Sequence, residues 1–394
     1  MVNEGLNIAA FMYVCCMSLE TIIDFLEPVN LSQISNDEGY KDTQLGRHIA
    51  VFEEEMPDIS HADLIIVGCG EMRGDGIQFS NYSDAADKVR SEFYKLFHWH
   101  SDVTIADIGN VKQGASIQDS YAALKTVISE LLDQKKRVVI IGGSHDVTLA
   151  QYGVYVAQEK IIEAACVDAK IDLNMDSVLP AENFLMELLT GEPNFIRHYN
   201  HIGFQSYFVH PQMLQTIDKL RFDCFRVGKV KENIEEMEPH IRSVQLFSFD
   251  ISAIQHAHAP ANNATPNGFI GEEACTLMQY AGMSKSLATI GIYGYHTEND
   301  INDLTAKQIS HMLWYLMDGI SRGKQEADVN DRNHFNEFHL VFADFETTFL
   351  QSKKTGRWWM QSLDGKFIAC SKNDYLLASN NEIPERWIRN VERN

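Results

Sequence analysis

The stretch AACVDAKIDLN, residues 164–174, ends an apolar run with two aspartates, Asp168 and Asp172. Two other apolar runs also end in polar residues: VVIIGGSHD carries His145, and VQLFSFDIS carries Asp250. Carboxylate oxygens and imidazole nitrogens bind divalent cations, and parallel strands bring their carboxyl ends to one edge of a sheet. The sequence therefore predicts a metal site, in which Lys170 occupies the position midway between the two aspartates.

The elements that must position these residues are short, nearly continuous apolar runs. They lie at 63–71, 103–111, 137–146, 161–172, 201–206, 224–228, 244–252 and 288–296. Continuous apolar runs of this length are typical of strands covered on both faces. Five polar residues stand at the ends of such runs, namely His145, Asp146, Asp168, Asp172 and Asp250, and we expect four of these five side chains to converge on one point.

Helical patterns lie between the apolar runs. Residues 116–136 place apolar side chains at three- and four-residue steps: Ile117, Tyr121, Leu124, Val127, Ile128 and Leu131. Residues 305–322 form another such pattern, in which we expect Thr305 to cap the helix. Strands alternating with helices predict an α/β protein of three layers, α/β/α, around a mostly parallel sheet of about eight strands.

The expected division of the chain has three parts. Residues 1–30 form an N-terminal segment that is partly disordered, with Met17 as the expected start of the ordered chain or of the chain itself. Residues 31–325 form one α/β domain. The polar stretch 322–338 leads into a C-terminal extension, 326–394, packed on the same domain.

Composition excludes several classes of function. The 394 residues carry a formal net charge of -22, which argues against nucleic acid or an anionic membrane as partner. The seven cysteines form no C-x-x-C pair, so neither a disulfide framework nor a zinc-cysteine site is indicated, and a cytoplasmic location fits best. The apolar run LNIAAFMYVCCM near the start is too short to span a bilayer.

Three motifs in order, GGSHD, DAKID and SFDIS followed by TPNG, resemble the metal signatures of the ureohydrolase family of arginases, agmatinases and formimidoylglutamases. The chain looks most similar to the formimidoylglutamase-like branch. The resemblance covers residues 63–320 and implies an arginase-type fold. It also implies a metal-dependent hydrolase that cleaves a C–N bond in a linear amidine.

In that family two manganese ions share a hydroxide. By position, the resemblance assigns His145, Asp168, Asp172 and Asp250 to the first ion. The second ion needs a histidine and an aspartate at positions where this chain has Lys170 and Ser252. The family's substrate-binding glutamate aligns with Gly294, and the loop NMDSVLPAENF lacks the family's catalytic histidine.

The charge balance of the buried site accounts for Lys170 and Ser252 together. Three carboxylates remain, and one divalent ion plus the Lys170 ammonium balances them, so Lys170 is predicted to replace the second ion. The expected cofactor is one Mn²⁺ or none, and Asp168, Asp250 and Lys170 are the candidate catalytic residues. Deacetylases of the same fold also use a single ion, but their ion occupies the second of the two family sites. This chain lacks the ligands of that second site, so a deacetylase is disfavoured.

Other interpretations of single residues stay open. Lys170 could turn to solvent, and GGSHD could be only a strand-to-helix turn. His256 and His258 could be substitute ligands, although surface positions are more usual for loop histidines. Trp358 and Trp359 could line a ligand cleft, although packing in a core is the more usual role of such a pair.

Two functions follow from the sequence. The first is a hydrolase with reduced or lost activity that takes a small amidine-like ligand. The second is a non-catalytic descendant that binds a metabolite or a protein partner. A homo-oligomer is possible in either case.

Overall fold

A ten-stranded sheet forms the centre of the protein. The structure is a computed structural model that describes residues 21–35, 39–77 and 84–393. The expectations about Met17 and about residues 1–20 of the N-terminal segment therefore lie outside the described residues.

A strand of the sheet overlaps each of the eight predicted runs, although β7 begins five residues before its run and β8 one residue before. Their bounds are β3 Leu64–Cys69, β4 Ile105–Val111, β5 Arg137–Ile141, β6 Ile162–Val167, β7 Ile196–Phe204, β8 Asp223–Arg226, β9 Leu246–Asp250 and β10 Thr289–Tyr293. All eight are parallel, in the order β4-β3-β5-β10-β9-β6-β7-β8. Two short strands were not predicted: β1 (Leu26–Glu27) pairs antiparallel with β4, and β2 (Ala50–Val51) pairs parallel with it.

Helices cover both faces of this sheet. Along β3, Leu64 and Ile66 belong to one hydrophobic core, whereas Ile65 and Val67 belong to another. Successive side chains of a strand point to opposite faces, so both faces are buried. The three-layer α/β/α fold is thus confirmed. The helices of the domain are Leu31–Ile34, Ala85–Phe93, Ile117–Asp133, Thr148–Ala157, Pro180–Thr190, Pro211–Lys219, Val227–Glu232, Glu238–Arg242, Gly271–Met283 and Leu304–Lys324.

Two helices test the predicted helical patterns. Helix Ile117–Asp133 buries Leu124, Val127, Ile128 and Leu131 of the expected stripe, whereas Ile117 and Tyr121 are half-buried. The helix starts with a capping box between Ser116 and Asp119. Helix Leu304–Lys324 starts before Thr305, so the prediction that Thr305 caps it is wrong. The Asp300 carboxylate accepts the Thr305 backbone N–H at 2.9 Å, while the Thr305 hydroxyl accepts the backbone N–H of Ala261.

The C-terminal extension forms a second, four-stranded antiparallel sheet. Trp358 and Trp359 are only 7% and 9% exposed and pack in two small cores on its opposite faces, as expected for core residues. Residues 335–338, which the sequence placed in a polar connection, belong to β11, because Phe335 and Phe338 pack against this sheet. The elements are β11 Phe335–Phe342, β12 Phe345–Ser352, β13 Trp358–Gln361, β14 Phe367–Cys370 and the helices Lys372–Ser379 and Glu385–Arg393.

Buried charges join the extension to the α/β domain. Arg242 donates to the backbone carbonyl of Trp358 at 2.6 Å and stacks over the Trp359 ring. Arg357 lies 3.4 Å from Glu238 and 3.0 Å from Glu326. None of the helices in the described part of the chain combines the length and apolar character that crossing a bilayer requires.

Candidate metal centre

Four neighbouring strands of the central sheet, β5, β10, β9 and β6, end at one place. His145 opens a short 3₁₀ turn after β5, Asp168 directly follows β6, and Asp250 is the last residue of β9. Gly142, with φ of 96°, turns the chain toward His145, and a Cβ there would lie 2.8 Å from the backbone oxygen of Cys69. Only glycine fits both the left-handed conformation and this close approach.

The structure brings the four predicted ligands together around the His145 imidazole. Its Nδ1 lies 3.0 Å from Asp168 Oδ2, 3.1 Å from Asp172 Oδ2 and 3.6 Å from Asp250 Oδ2. His145, Asp168 and Asp172 are all at most 5% exposed. The expected convergence of one imidazole and three carboxylates is therefore present in the fold.

The ionisable groups of the cluster shift one another's pKa values. Burial alone would lower the pKa of His145, but the Cys166 sulfur and the hydrogen bonds to Asp168 and Asp172 raise it well above its usual value. Burial raises the pKa of Asp172 strongly, and the charge of Asp168 adds to the shift. The same two causes raise the pKa of Asp250 to about 6. Burial also opposes ionisation of Asp168, but the hydrogen bond and the charge of His145 hold its pKa below the usual range. Without a metal ion, the site thus holds protons near neutral pH.

Lys170 lies at the edge of the cluster. Its side chain is half-buried, and burial acts to lower its pKa, but Asp172, Asp168 and Asp250 together raise it. Among the described residues the ammonium makes no direct ion pair, so it contributes positive potential without contacting a carboxylate oxygen. Its backbone N–H donates to Asp168 Oδ1 at 3.0 Å.

Ser252 and Gly294 occupy the two other positions where the chain differs from the family pattern. The Ser252 hydroxyl donates to Asp168 Oδ1 at 2.5 Å, and its backbone N–H donates to Asp250 Oδ1 at 2.7 Å. Gly294 has φ of 75°, and a Cβ there would lie 2.6 Å from Asp250 Oδ2. A larger residue at position 294 would displace the Asp250 carboxylate.

The remaining candidates lie outside the cluster. Asp146 is fully buried and accepts a hydrogen bond from the Tyr121 hydroxyl instead of facing His145. Burial raises its pKa. The ring of His256 lies 2.9 Å from the backbone oxygen of Asn262 and is exposed. In the described ranges neither His256 nor His258 contacts the three aspartates.

Sequence analysis missed Cys166 and Ser248. Cys166 Sγ lies 3.6 Å from His145 Nε2, and Ser248 Oγ lies 3.2 Å from the same nitrogen. Burial would raise the pKa of the Cys166 thiol, but the charges of His145 and His201 and the hydrogen bonds to both histidines together lower the pKa to about 7. The signal was available, because Cys166 and Ser248 stand two residues before Asp168 and Asp250 and strand side chains alternate with a period of two.

A third residue that sequence analysis missed is His296. His296 follows Gly294 by two residues, and its Nε2 lies 3.2 Å from Asp75 Oδ2. Burial lowers the pKa of His296, but Asp75, Glu298 and Asp250 together raise it above the usual value. Because Asp250 contributes to this shift, His296 is electrostatically linked to the cluster.

The donor set fits a divalent cation. The imidazole nitrogen Nδ1 lies 3.0 to 3.6 Å from one oxygen of each of the three carboxylates. Two ligands at right angles around an ion, each about 2.1 Å from it, are separated by about 3 Å. His145, Asp168, Asp172 and Asp250 are therefore the residues that could hold one ion, whereas the Ser252 hydroxyl and the Lys170 ammonium do not provide a second set of anionic ligands.

Comparisons with known proteins agree on one family. The Arginase family model matches residues 65–318. Formimidoylglutamase of Hahella chejuensis is 23% identical over 231 residues, which are 53% of this chain and 70% of that protein. Formimidoylglutamase of Lysinibacillus sphaericus is 21% identical over 234 residues, 56% of this chain and 72% of that protein.

Solved structures share the fold. The crystal structure of Trypanosoma cruzi formiminoglutamase with Mn²⁺ has a TM-score of 0.63 at 14% identity and covers 71% of this chain and 99% of that chain. Formimidoylglutamase of Bacillus subtilis also has a TM-score of 0.63, at 17% identity, and covers 74% of this chain and 97% of that chain.

Proposed function

Because the chain belongs to the arginase family, we propose that it hydrolyses a C–N bond in a linear amidine, of the formimidoylglutamate or agmatine kind, with one divalent metal ion. The observation that carries this proposal is the convergence of the His145 Nδ1 on Asp168, Asp172 and Asp250. Manganese is the expected ion, because the Trypanosoma cruzi relative of the same fold is a Mn²⁺ protein.

A divalent ion, when bound, acidifies water and so supplies a nucleophile at neutral pH. The chain's own residues then have separate tasks. Asp168 is fixed by Ser252 and by the Lys170 backbone, so its Oδ2 remains directed at His145. The Lys170 ammonium supplies positive potential beside the aspartates and offsets part of their negative charge.

Hydrolysis of an amidine also requires a proton for the departing nitrogen. The loop after Asp172 provides no histidine for this step. His296 is the candidate donor, because Asp75 holds its Nε2 at 3.2 Å and keeps its pKa raised. Asp75 acts as a positioning residue that orients the imidazole.

A second candidate function has its own supporting observations. Ser252 offers a hydroxyl in place of a carboxylate, and Gly294 leaves no room for a glutamate beside Asp250. A protein with these changes could retain the fold as a non-catalytic binder of a metabolite or a protein partner.

One experiment separates the two functions. Purified protein is loaded with manganese, and metal content is measured by elemental analysis on the sample assayed for formamide and urea release. About one manganese per chain with release supports the hydrolase, whereas binding without release supports the non-catalytic alternative. Asp172→Asn should abolish both signals, and Asp176→Asn, at an exposed position four residues along, should change neither.

A further inference from the structure

The second sheet ends in a long edge strand, β11. Its eight residues make it longer than the edge strands of the central sheet, which are β1 with two residues and β8 with four. Over residues 335–352, all of which the structure describes, β11 pairs with β12 in an unbroken register without a bulge. The strand sequence FNEFHLVF contains neither lysine nor proline. Short length, a bulge, lysine and proline are the usual features that prevent an edge strand from pairing with another chain, and β11 has none of them along its described length.

Alternate residues of β11 direct their backbone groups away from β12. The Lys353 backbone N–H donates to the His334 carbonyl at 2.9 Å, directly before the strand, so the residues hydrogen-bonded to β12 are those at even-numbered positions. The N–H and C=O groups of Glu337, His339 and Val341 therefore point outward, and they have no hydrogen-bond partner in the described part of the chain. All three residues are exposed, Val341 by 63%, so this edge is accessible to a second chain.

Two side chains on this edge carry complementary groups. Glu337 and His339 are two residues apart, so they leave the same face of the sheet. The Glu337 carboxylate lies 3.9 Å from both Arg332 Nη1 and His339 Nε2, which is too long for a hydrogen bond. His339 Nδ1 lies 3.1 Å from Thr348 Oγ1, which leaves Nε2 for another acceptor. Among the described residues, the carboxylate and the imidazole nitrogen thus both lack a close partner.

A second copy of β11 supplies these partners. A two-fold axis through Phe338, perpendicular to the sheet, sets two such strands antiparallel and places each Glu337 opposite His339 of the other copy. Both residues belong to the outward-facing set, so each pair also exchanges two backbone hydrogen bonds. Opposite residues have Cβ atoms about 5 Å apart, which brings the carboxylate within reach of the imidazole. A register centred on His339 would instead set His339 opposite itself and Glu337 opposite Val341.

We infer that β11 is the contact surface for a second copy of this chain, and that two chains join their four-stranded sheets into one continuous antiparallel sheet. Backbone hydrogen bonds supply the affinity, and the two Glu337–His339 pairs fix the register. The interface belongs to the C-terminal extension, outside the residues 65–318 that match the family model, and it does not depend on the proposed hydrolase.

The test is sedimentation equilibrium of the full chain. We expect the native protein to form dimers reversibly at chain concentrations between roughly 1 µM and 1 mM. His339→Glu sets two carboxylates opposite each other twice in the interface, so it should weaken the dimer by roughly tenfold or more. The double variant Glu337→His with His339→Glu exchanges the two groups and should restore dimerisation to near the native level. His61→Glu, the same change at an exposed histidine of the α/β domain, is the matched control and should have no effect.

Amide hydrogen exchange of the native protein, followed residue by residue by NMR, gives an independent readout. The outward-facing amides of Glu337 and His339 should exchange rapidly in dilute protein, and roughly tenfold more slowly or less in concentrated protein, because the dimer protects them. The amides of Phe338 and Leu340 are bonded to β12 and should exchange slowly at both concentrations.

Three results would overturn the inference. They are a native chain that stays monomeric over the whole concentration range, association that His339→Glu leaves unchanged, and exchange of the Glu337 and His339 amides that does not depend on concentration. The first and third use only the native protein, so they do not depend on the folding of any variant. None of the three changes the manganese content or the hydrolase assay, so failure of this interface is distinguishable from failure of the proposed function.

Discussion

Ser252 donates its hydroxyl to Asp168 Oδ1 at 2.5 Å, at the position where the family pattern places a second-metal aspartate. The same carboxylate oxygen also accepts the Lys170 backbone N–H, and Asp168 Oδ2 faces His145. Both oxygens of Asp168 are therefore engaged within one cluster. An aspartate held in this way is suited to a single ion and not to a bridge between two.

Restoring the two changed positions together should recreate a second metal site. We expect Lys170→His with Ser252→Asp to raise the manganese content from about one to about two per chain, because a neutral ligand and a carboxylate replace a cation and a hydroxyl. Elemental analysis after manganese loading measures this. Ser252→Asp alone adds an uncompensated charge and Lys170→Met adds no ligand, so each single variant should hold at most one ion. An unchanged content in the double variant would contradict the alignment of these positions.

Metal affinity should depend on pH in a defined direction. The metal-free site holds protons because the pKa values of His145 and Asp172 are raised strongly and that of Asp250 is about 6. A metal ion binds the deprotonated ligands, so its affinity should rise with pH and fall below about pH 6, by about tenfold per pH unit for each proton displaced. Calorimetry of manganese binding in two buffers of different ionisation enthalpy counts the protons released. Release of no protons at neutral pH would contradict the assigned pKa directions.

Gly294 should be required for the position of Asp250. A Cβ at Gly294 would lie 2.6 Å from Asp250 Oδ2, and the residue has φ of 75°. Gly294→Ala should therefore reduce manganese affinity by roughly tenfold, in addition to the backbone cost of about 1 kcal/mol for an alanine in the left-handed region. Gly356→Ala is the matched control, because Gly356 has φ of 73° but nothing within 4 Å of its Cβ. Equal metal affinities in the two variants would show that the contact with Asp250 is unimportant.

The C-terminal extension should unfold together with the α/β domain. Arg357 links the extension to the domain through Glu238 and also pairs with Glu326 at the start of the extension, and all three side chains are at most 10% exposed. Arg357→Met leaves two buried carboxylates without this partner and should lower the free energy of unfolding by about 3 kcal/mol or more. Urea denaturation measures the loss. Lys366→Met, which removes an 82% exposed lysine paired with Asp364, should have no measurable effect. Two separate unfolding transitions in the native protein would contradict the expected single domain.

The sequence by itself determined the elements and the identity of the polar residues at their ends. Apolar runs predicted a strand at each of the eight parallel positions, because strands inside such a sheet are largely apolar. Residues 196–200 of β7 were missed, because His198 and Asn200 are polar although they are buried. The motifs at those strand ends also predicted His145, Asp168, Asp172 and Asp250 as metal ligands, and comparison with the family pattern showed the substitutions at Lys170 and Ser252. The start of helix Leu304–Lys324 was missed, because its N–H groups are satisfied by Asp300, an acceptor in the preceding loop.

Only the tertiary structure decided which side chains meet. The order β5-β10-β9-β6 brings His145, after β5, to the same sheet edge as Asp250 and Asp168 at the ends of β9 and β6, and the register of β6 and β7 places Cys166 opposite His201. Neither relationship is local, because strand order and register depend on crossover connections and on packing of both sheet faces. The sequence predicted that a metal site would form. Two contacts became visible only in the fold: the Cys166 sulfur lies against His145 Nε2, and the Ser252 hydroxyl donates to Asp168. Sequence analysis missed them because the paired residues are 21 and 84 positions apart in the chain.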